Sequence, residues 1–582
     1  MTTMNTISKY SISRHLRRAI PAAIICGAAI LAGPVLTGCN DFLEVEPVGN
    51  NLAENFYDTR YQLQASLNAT YDILQTDAFQ DTDWRFGEAC ADHVIGSDEG
   101  LASHMGQLVN FRFTTSNKHI LNRWEIYYKG IHRANQVIAN IDRCRISTPT
   151  YTAFREVREI YGQAKFLRAL FYFNLVKTFG GVPIRPEVET VPGLVVPRST
   201  KEETYAYIEK DLREAAIMLQ GRYTSTNSGK ASAGAAVGLL MKVLMYQATP
   251  GTPSDKWEEV ARLGDYFVKG KSMTYGEMLR FSERYPDTDW ETLREKLWFM
   301  PRALTGKDDI LETLDTNCPS LNNAYSLEYI DAYGSPLTYD EQFYSQGEFC
   351  RGSVFEIVFK ESGDGTVDDL NEGTGIYSDL FPVNNFTQPF YSDAAIVTAL
   401  FGSDVRRRFT IGHHEFTPDN ENTEIGSGHI LSLKYYTPVK DRPTYEGDGA
   451  KNRRYMRFAE VVLTYAEALN ECGRGADALE QLNSNKAVVN KINNETTLYV
   501  GGGYGYLRQQ IWHEREMELA YEWDRFFDIV RQGRARELLQ AFAAQRSNHR
   551  GVYFREGVNE IFPIPQTEID VSNGVVTQNP GY

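Results

Sequence analysis

Ala164-Lys-Phe-Leu-Arg-Ala-Leu-Phe-Tyr-Phe-Asn-Leu-Val-Lys-Thr-Phe-Gly-Gly-Val-Pro-Ile184 is the stretch on which the fold turns. Ile160, Ala164, Leu167 and Phe171 recur at spacings of four and three and form one apolar stripe. Phe166, Leu170, Phe173 and Val176 make the remaining faces almost as apolar. A helix that is hydrophobic nearly all round is packed on most of its sides. Gly180-Gly181 followed by Pro183 is a strong stop, because glycine takes the left-handed C-terminal cap and proline cannot continue the ladder. The pattern predicts a helix over 153–179 at the centre of a helical body.

Working outward, residues 52–77 read as a helix. So do 120–144, where Trp124, Ile131, Ala134, Val137, Ile138 and Ile141 keep mostly three- and four-residue spacing. Residues 201–220 and 232–248 are two further helices, the second rich in Ala and Gly for close packing. Toward the C-terminus, Phe458, Val462, Tyr465 and Leu469 mark a helix ending at Gly473, and Ala476 to Val489 follows closely. Tyr465 to Gly473 with Ala476-Asp-Ala-Leu479 resembles half of a tetratricopeptide repeat, although no clean 34-residue period runs along the chain. Helices over 506–531 and 533–544 complete the pattern. Between 271 and 450 the periodicity breaks, and Gly, Pro, Asn, Asp and aromatic residues dominate. Structureless connections beyond ~12–15 residues are usually functional or disordered, and this one holds too many rings for disorder. The expected fold class is mainly α: a tetratricopeptide-like helical superhelix with a large loop-rich insertion. The expected organisation is a signal at 1–38, an acidic tether at 39–51, a helical frame at 52–270, the insertion at 271–450 as the ligand face, and a second helical frame at 451–582.

The N-terminus reads as an export signal. Lys9, Arg14, Arg17 and Arg18 precede an apolar run from Ile20 to Leu36, and Leu36-Thr-Gly-Cys39 closes it. The run is shorter than the ~20 apolar residues of a spanning helix. The Leu-Thr-Gly-Cys box looks like that of a bacterial lipoprotein, in which Cys39 becomes the acylated first residue; several acyl chains on one residue give durable anchoring. The remainder still far exceeds the ~250–300 residues at which single cores stop growing. The formal net charge of −16 becomes more negative once the four basic signal residues leave, which argues against nucleic acid and anionic headgroups as partners. Cys90, Cys144, Cys318, Cys350 and Cys472 fit no zinc spacing and read as mostly buried small apolar residues.

An enzyme is not indicated. There is no His-Glu-x-x-His and no Gly-x-Ser-x-Gly elbow. Gly270-Lys271-Ser272 lacks the phosphate-loop glycine, since Asp265 stands in its place. Gly501 to Gly505 lacks dinucleotide spacing, and His413-His414 reads as a solvated loop pair. With 76 acidic residues, some carboxylate pair meets glycosidase spacing by chance. No catalytic residue, metal ligand or cofactor fingerprint is assigned, although Asp364, Asp368 and Asp369 leave a structural calcium open.

Sugar binding asks for rings that pack on pyranose C–H faces, with Asp, Asn and Arg to fix the hydroxyls. Asp81-Thr-Asp83-Trp84-Arg85 and Asp287-Thr-Asp289-Trp290 both offer this grouping. In the second copy Thr288 and Glu291 also fit a capping box, so a helix start competes with ligand contact. Tyr325, Tyr329 and Tyr333 recur every four residues as one helical face, either core or stacking platform. Asp92 and His93 complete the candidate set, while Trp124 and Trp298 are assigned to core. The expected ligand-binding residues are Asp83, Trp84, Arg85, Asp92, Asp289, Trp290, Tyr325, Tyr329 and Tyr333.

Several blocks together resemble the SusD/RagB-type outer-membrane lipoproteins of Bacteroidota. They are Ala164 to Ile184, Trp124 to Asn135, Arg457 to Ala468, Glu514 to Leu519 with Arg525-Phe-Phe-Asp528, Phe562-Pro-Ile-Pro565 and Gln578 to Tyr582. The resemblance implies a superhelix of tetratricopeptide-like pairs with a loop-rich ligand face, held to the outer membrane by a lipid on Cys39. It implies oligosaccharide cargo and a SusC-type TonB-dependent transporter as partner. A peptide-binding protein of the same architecture, or a structural lid subunit with a vestigial ligand site, are the alternatives. Residues 271–450 align with no member of known specificity.

Overall fold

The structure, a computed structural model, describes residues 56–96, 100–147, 150–187, 193–224, 228–280, 314–360, 390–391, 394–407, 411–412, 415–417, 420–423, 431–435, 449–546 and 551–582. The first helices are α1 (Arg60–Gln75), α2 (Asp77–Trp84), α3 (His104–Val109), α4 (Lys118–Asn140), α5 (Tyr151–Phe179), α6 (Lys201–Met218), α7 (Ala233–Met245), α8 (Asp255–Phe267) and α9 (Tyr275–Leu279). Then come α10 (Ala394–Phe401), α11 (Phe458–Glu471), α12 (Gly475–Asn490), α13 (Tyr504–Glu518), α14 (Arg525–Arg531), α15 (Ala535–Arg546) and α16 (Gln566–Val571). No helix among the described residues is long and apolar enough to cross a membrane.

Side-chain oxygens set several helix starts. Thr200 and Glu203 cap α6 reciprocally: Thr200 N–H donates to Glu203 Oε2 at 2.8 Å and Glu203 N–H to Thr200 Oγ1 at 3.1 Å. Helix α5 ends where the sequence places its stop. Gly180 adopts φ +73°, and a side chain on Gly181 would collide with the Ser199 carbonyl. Each long helix packs on the next. Helix α5 lies against α4 and α6, α6 against α7, and α7 against α8, while α1 packs on α4 and α5. Helix α11 then returns against α7 and α8 and carries α12 and α13. Helices α8 and α11 are thus neighbours although the whole 271–450 stretch separates them in sequence. The architecture is mainly α and tetratricopeptide-like.

Phe166, Leu167, Leu170, Phe171, Phe173 and Val176 of α5 are all buried. Its polar side chains are buried too. Lys165 reaches Glu214 at 2.7 Å, and Arg168 reaches Asp211 at 2.7 Å, both across to α6. Burial alone would raise the Asp211 carboxyl; Arg168 and Lys165 outweigh it and hold the group down at about 2.

Four features depart from the sequence reading. The expected 506–531 helix is two helices. Lys434 Nζ and Arg457 Nη2 bond the Glu518 carbonyl at 2.7 and 2.8 Å, where α13 ends. Beyond it, Tyr521 and Trp523 take positive φ, with the Trp523 ring against Arg453 at 4.0 Å and Tyr435 at 4.7 Å. Helix α8 was not anticipated, although Ser254 caps it and Trp257, Val260, Leu263 and Phe267 line its buried face. The 52–77 helix is shorter in its described part, since extended Thr76 ends α1 and caps α2. Strands β1 (Ser353–Ile357) and β2 (Arg453–Arg457) pair antiparallel. Phe355 of β1 packs on Phe166 of α5 at 5.0 Å, so this part of the loop-rich stretch belongs to the core. The five cysteines of the described residues are unbridged; three are buried and Cys144 and Cys472 half-buried.

Candidate functional site

The structure draws most of the expected ligand residues inward. Trp84 closes α2 at 4% exposure within the hydrophobic core, which leaves no open ring face for a sugar. Asp83 is buried among partners: Tyr127 Oη donates to it at 2.6 Å, Arg453 Nη1 lies at 3.0 Å and Arg123 Nη1 at 3.4 Å. Burial would raise this carboxyl; Arg453, Arg123 and Lys177 overcome it and hold the group below its ordinary value. Arg85 folds back on Asp81, with Nε at 2.6 Å from Oδ2, and lies 4.9 Å over the Trp84 ring. From Arg85 to Ala89 the chain makes a π-helical turn. Gly87 there abuts the Trp523 carbonyl, where any side chain would collide.

Asp92 is a structural carboxylate. Arg525 binds it through Nε and Nη2 at 2.8 and 3.0 Å and also reaches Glu516. His93, 3% exposed, sits 3.3 Å from Glu516 and 3.5 Å from Glu88. Burial and Arg525 disfavour its charge; Asp92, Glu516 and Glu88 outweigh them and push its pKa up to about 9. Asp92, His93 and Glu516 bring three metal-capable atoms within 4.8 Å of one another. Arg525 bonds both carboxylates and shares their charge with the protonated His93, so the cluster acts as an ionic clamp joining the 88–93 segment to α13 and α14.

The three tyrosines share no helical face, because residues 325–333 form turns and a β-bridge. Tyr325 is core: its ring stacks on Phe458 at 6.0 Å and its hydroxyl meets Ser232 at 2.9 Å. Tyr329 is half-buried against Tyr339 at 5.5 Å. Tyr333 alone is open, 96% exposed at the tip of a turn held by Asp331. Trp124 is core, as expected. Cys39, Asp289, Trp290, Trp298, His413-His414 and the calcium candidates Asp364, Asp368 and Asp369 lie outside the described residues.

A different surface has the geometry of a ligand site. A groove of about 860 Å³ runs along α4, within the ~300–1,000 Å³ range of small-molecule sites. Its lining includes Tyr57, Trp124, Tyr128 and Gln136, with Val195 and the C-terminal Val571. Tyr128 is fixed by its hydroxyl, which donates to the Pro183 carbonyl at 2.8 Å, and by Trp124 at 4.8 Å. Arg185 is held by the Leu194 carbonyl at 2.6 Å. The sequence signal for this surface was present: Glu125, Tyr128, His132 and Gln136 step along the predicted helix at spacings of three and four. They occupy its polar face, which reads from sequence as mere solvent contact.

Long helices packed each on the next define a tetratricopeptide-like scaffold. A sequence-family model described as starch-binding and associating with the outer membrane matches residues 41–245, and one described as the SusD family matches residues 409–582. SusD-like protein P2 of Formosa agariphila is 23% identical over 570 residues, covering 94% of this chain and 97% of its own. A SusD homologue from Bacteroides thetaiotaomicron superposes with a TM-score of 0.68 at 20% identity, over 91% of this chain and 98% of that one. Surface glycan-binding protein A from the same organism, in complex with laminarihexaose, superposes with a TM-score of 0.65 at 18% identity, over 90% and 99%. The chain is a SusD-type protein.

Proposed function

We propose that this protein is a cell-surface lipoprotein, anchored through Cys39, that binds oligosaccharide and passes it to a SusC-type TonB-dependent transporter without altering it. The observation that carries the reading is the SusD-type frame, matched by family models at both ends of the chain and superposing on a glycan-binding protein. The Leu36-to-Cys39 box supports the anchor, and the net charge of −16 suits a neutral cargo. Asp289 and Trp290 remain the aromatic–acid pair of the sequence proposed for cargo contact. The test is calorimetry of residues 40–582 against a polysaccharide and peptide panel. Glycan binding weakened at least tenfold by Trp290→Ala is expected. Peptide binding with no glycan binding would overturn the cargo class, and loss of transporter pull-down from a strain carrying Cys39→Ala would support the anchored complex.

A further inference from the structure

We infer that the groove along α4 is a second glycan-binding surface, fitted to a short neutral oligosaccharide and lined, among the described residues, by none from the 271–450 stretch. The inference rests on the glycan-binding reading above and adds a location and a ligand class to it. Glu125, Tyr128, His132 and Gln136 lie on one face of α4, and Asn140 continues the line. From Glu125 to Asn140 this face spans about 22 Å at 1.5 Å per residue, enough for several pyranose rings in file.

The side chains of Glu125, His132 and Gln136 line the groove and make no hydrogen bond or ion pair among the described residues. They offer a carboxylate acceptor, an imidazole that donates and accepts, and an amide that does both. The half-buried rings of Tyr57 and Tyr128 supply flat apolar surface beside them. Rigid rings interleaved with uncommitted polar groups match a molecule whose faces are C–H and whose edges are hydroxyls.

Other occupants fit less well. An extended peptide needs a partner for its backbone ladder, and the floor is a helix whose own backbone groups are bonded internally. An amphipathic helix needs a continuous apolar floor, and here Glu125, His132 and Gln136 interrupt Trp124, Tyr128 and Ala139. A polyanion meets Glu125, Glu187 and Glu568, while Arg185 and Arg143 are engaged with Leu194 and Asn140.

The experiment titrates the mature chain with laminarihexaose, maltohexaose and cellohexaose by calorimetry. It compares wild type, Trp290→Ala and the double variant His132→Ala/Gln136→Ala, with circular dichroism as the folding control. His132 is exposed and Gln136 half-buried, so the double variant keeps its helix content. The expected result is a binding phase that survives Trp290→Ala and weakens at least tenfold in the double variant. Binding that is unchanged in the double variant and lost in Trp290→Ala would overturn the α4 surface and leave the proposed function standing. Wild type that binds none of the three hexaoses would overturn the α4 surface by itself; the wider panel then decides the proposed function.

Discussion

At the Asp83–Trp84–Arg85 corner, carboxylate, indole and guanidinium are all consumed by the fold, whereas along α4 the side chains of Glu125, His132 and Gln136 have no hydrogen-bond or ion-pair partner among the described residues. Both places offer a carboxylate, a ring and nitrogen donors, the residue types that sugar binding asks for. What differs is where the backbone aims them. Asp83 closes α2 against α4 and β2, and its two oxygens meet two guanidiniums and a phenol. Along α4, Glu125 and His132 are exposed and Gln136 is half-buried. A sugar-binding composition is therefore only a candidate; whether the fold has already engaged those groups decides it.

The contrast is broken most directly at Asp83. Asp83→Ala leaves Arg123 and Arg453, both nearly fully buried, without their shared counter-ion. Removing one partner of a buried pair typically costs about 3–5 kcal/mol. Urea unfolding of this variant is expected to show a loss of that order. A loss below about 1 kcal/mol would mean that the corner is wetter than its geometry suggests, and would return Asp83 to the list of ligand candidates.

That corner also marks the limit of what the sequence discloses. Helical periodicity showed α4 to α7, α11 and α12 within a few residues of their ends, because a stripe of apolar side chains is a local record of burial on one side. Cap residues such as Thr200 and the Gly180-Gly181 stop are local as well. The identity of a charged residue's partner is not. Asp83 and Arg453 are far apart in the chain, as are Asp92 and Arg525, and nothing near either aspartate announces its arginine. The same holds for Trp84, whose burial depends on layers contributed from distant segments. The tyrosine repeat at 325, 329 and 333 misled for a related reason. A four-residue spacing is evidence of a helix only where the backbone between is helical, and Gly334 and Pro336 already signal a turn. The α4 face was legible as a pattern and uninterpretable as a site, since a polar helical stripe says nothing of walls supplied by Val195 and Val571.

A second way to sharpen the comparison uses pH at the His93 clamp. The folded pKa of His93 is raised from 6.5 to about 9. Its contribution to stability is therefore fully present below about pH 6.5 and is lost as pH rises through about 9. At about 1.4 kcal/mol per unit, the shift corresponds to roughly 3–4 kcal/mol as an upper value. Lys434 opposes this trend, because burial lowers its amine to about 8, so the folded state gains stability as pH rises above that value toward the ordinary lysine range. The difference in unfolding free energy between wild type and His93→Gln removes the Lys434 contribution. That difference is expected to shrink between pH 6.5 and 9. A flat difference over this window would show that His93 is neutral in the folded protein, and that Glu88, Asp92 and Glu516 are balanced by Arg525 alone.

The smallest effect is expected on the α4 face, and its smallness is the point. Glu125 is exposed, forms no ion pair among the described residues, and lies in the interior of a helix, where alanine is at least as favourable as glutamate. Glu125→Ala should leave the unfolding free energy within about 0.5 kcal/mol of wild type. A residue that stabilises nothing and still alters glycan affinity can be acting only on the ligand, whereas any change in affinity caused by Asp83→Ala is confounded with the damage to the fold. Should Glu125→Ala instead cost 1–2 kcal/mol or more, the groove floor would be part of the scaffold after all, and the two regions would no longer differ in kind.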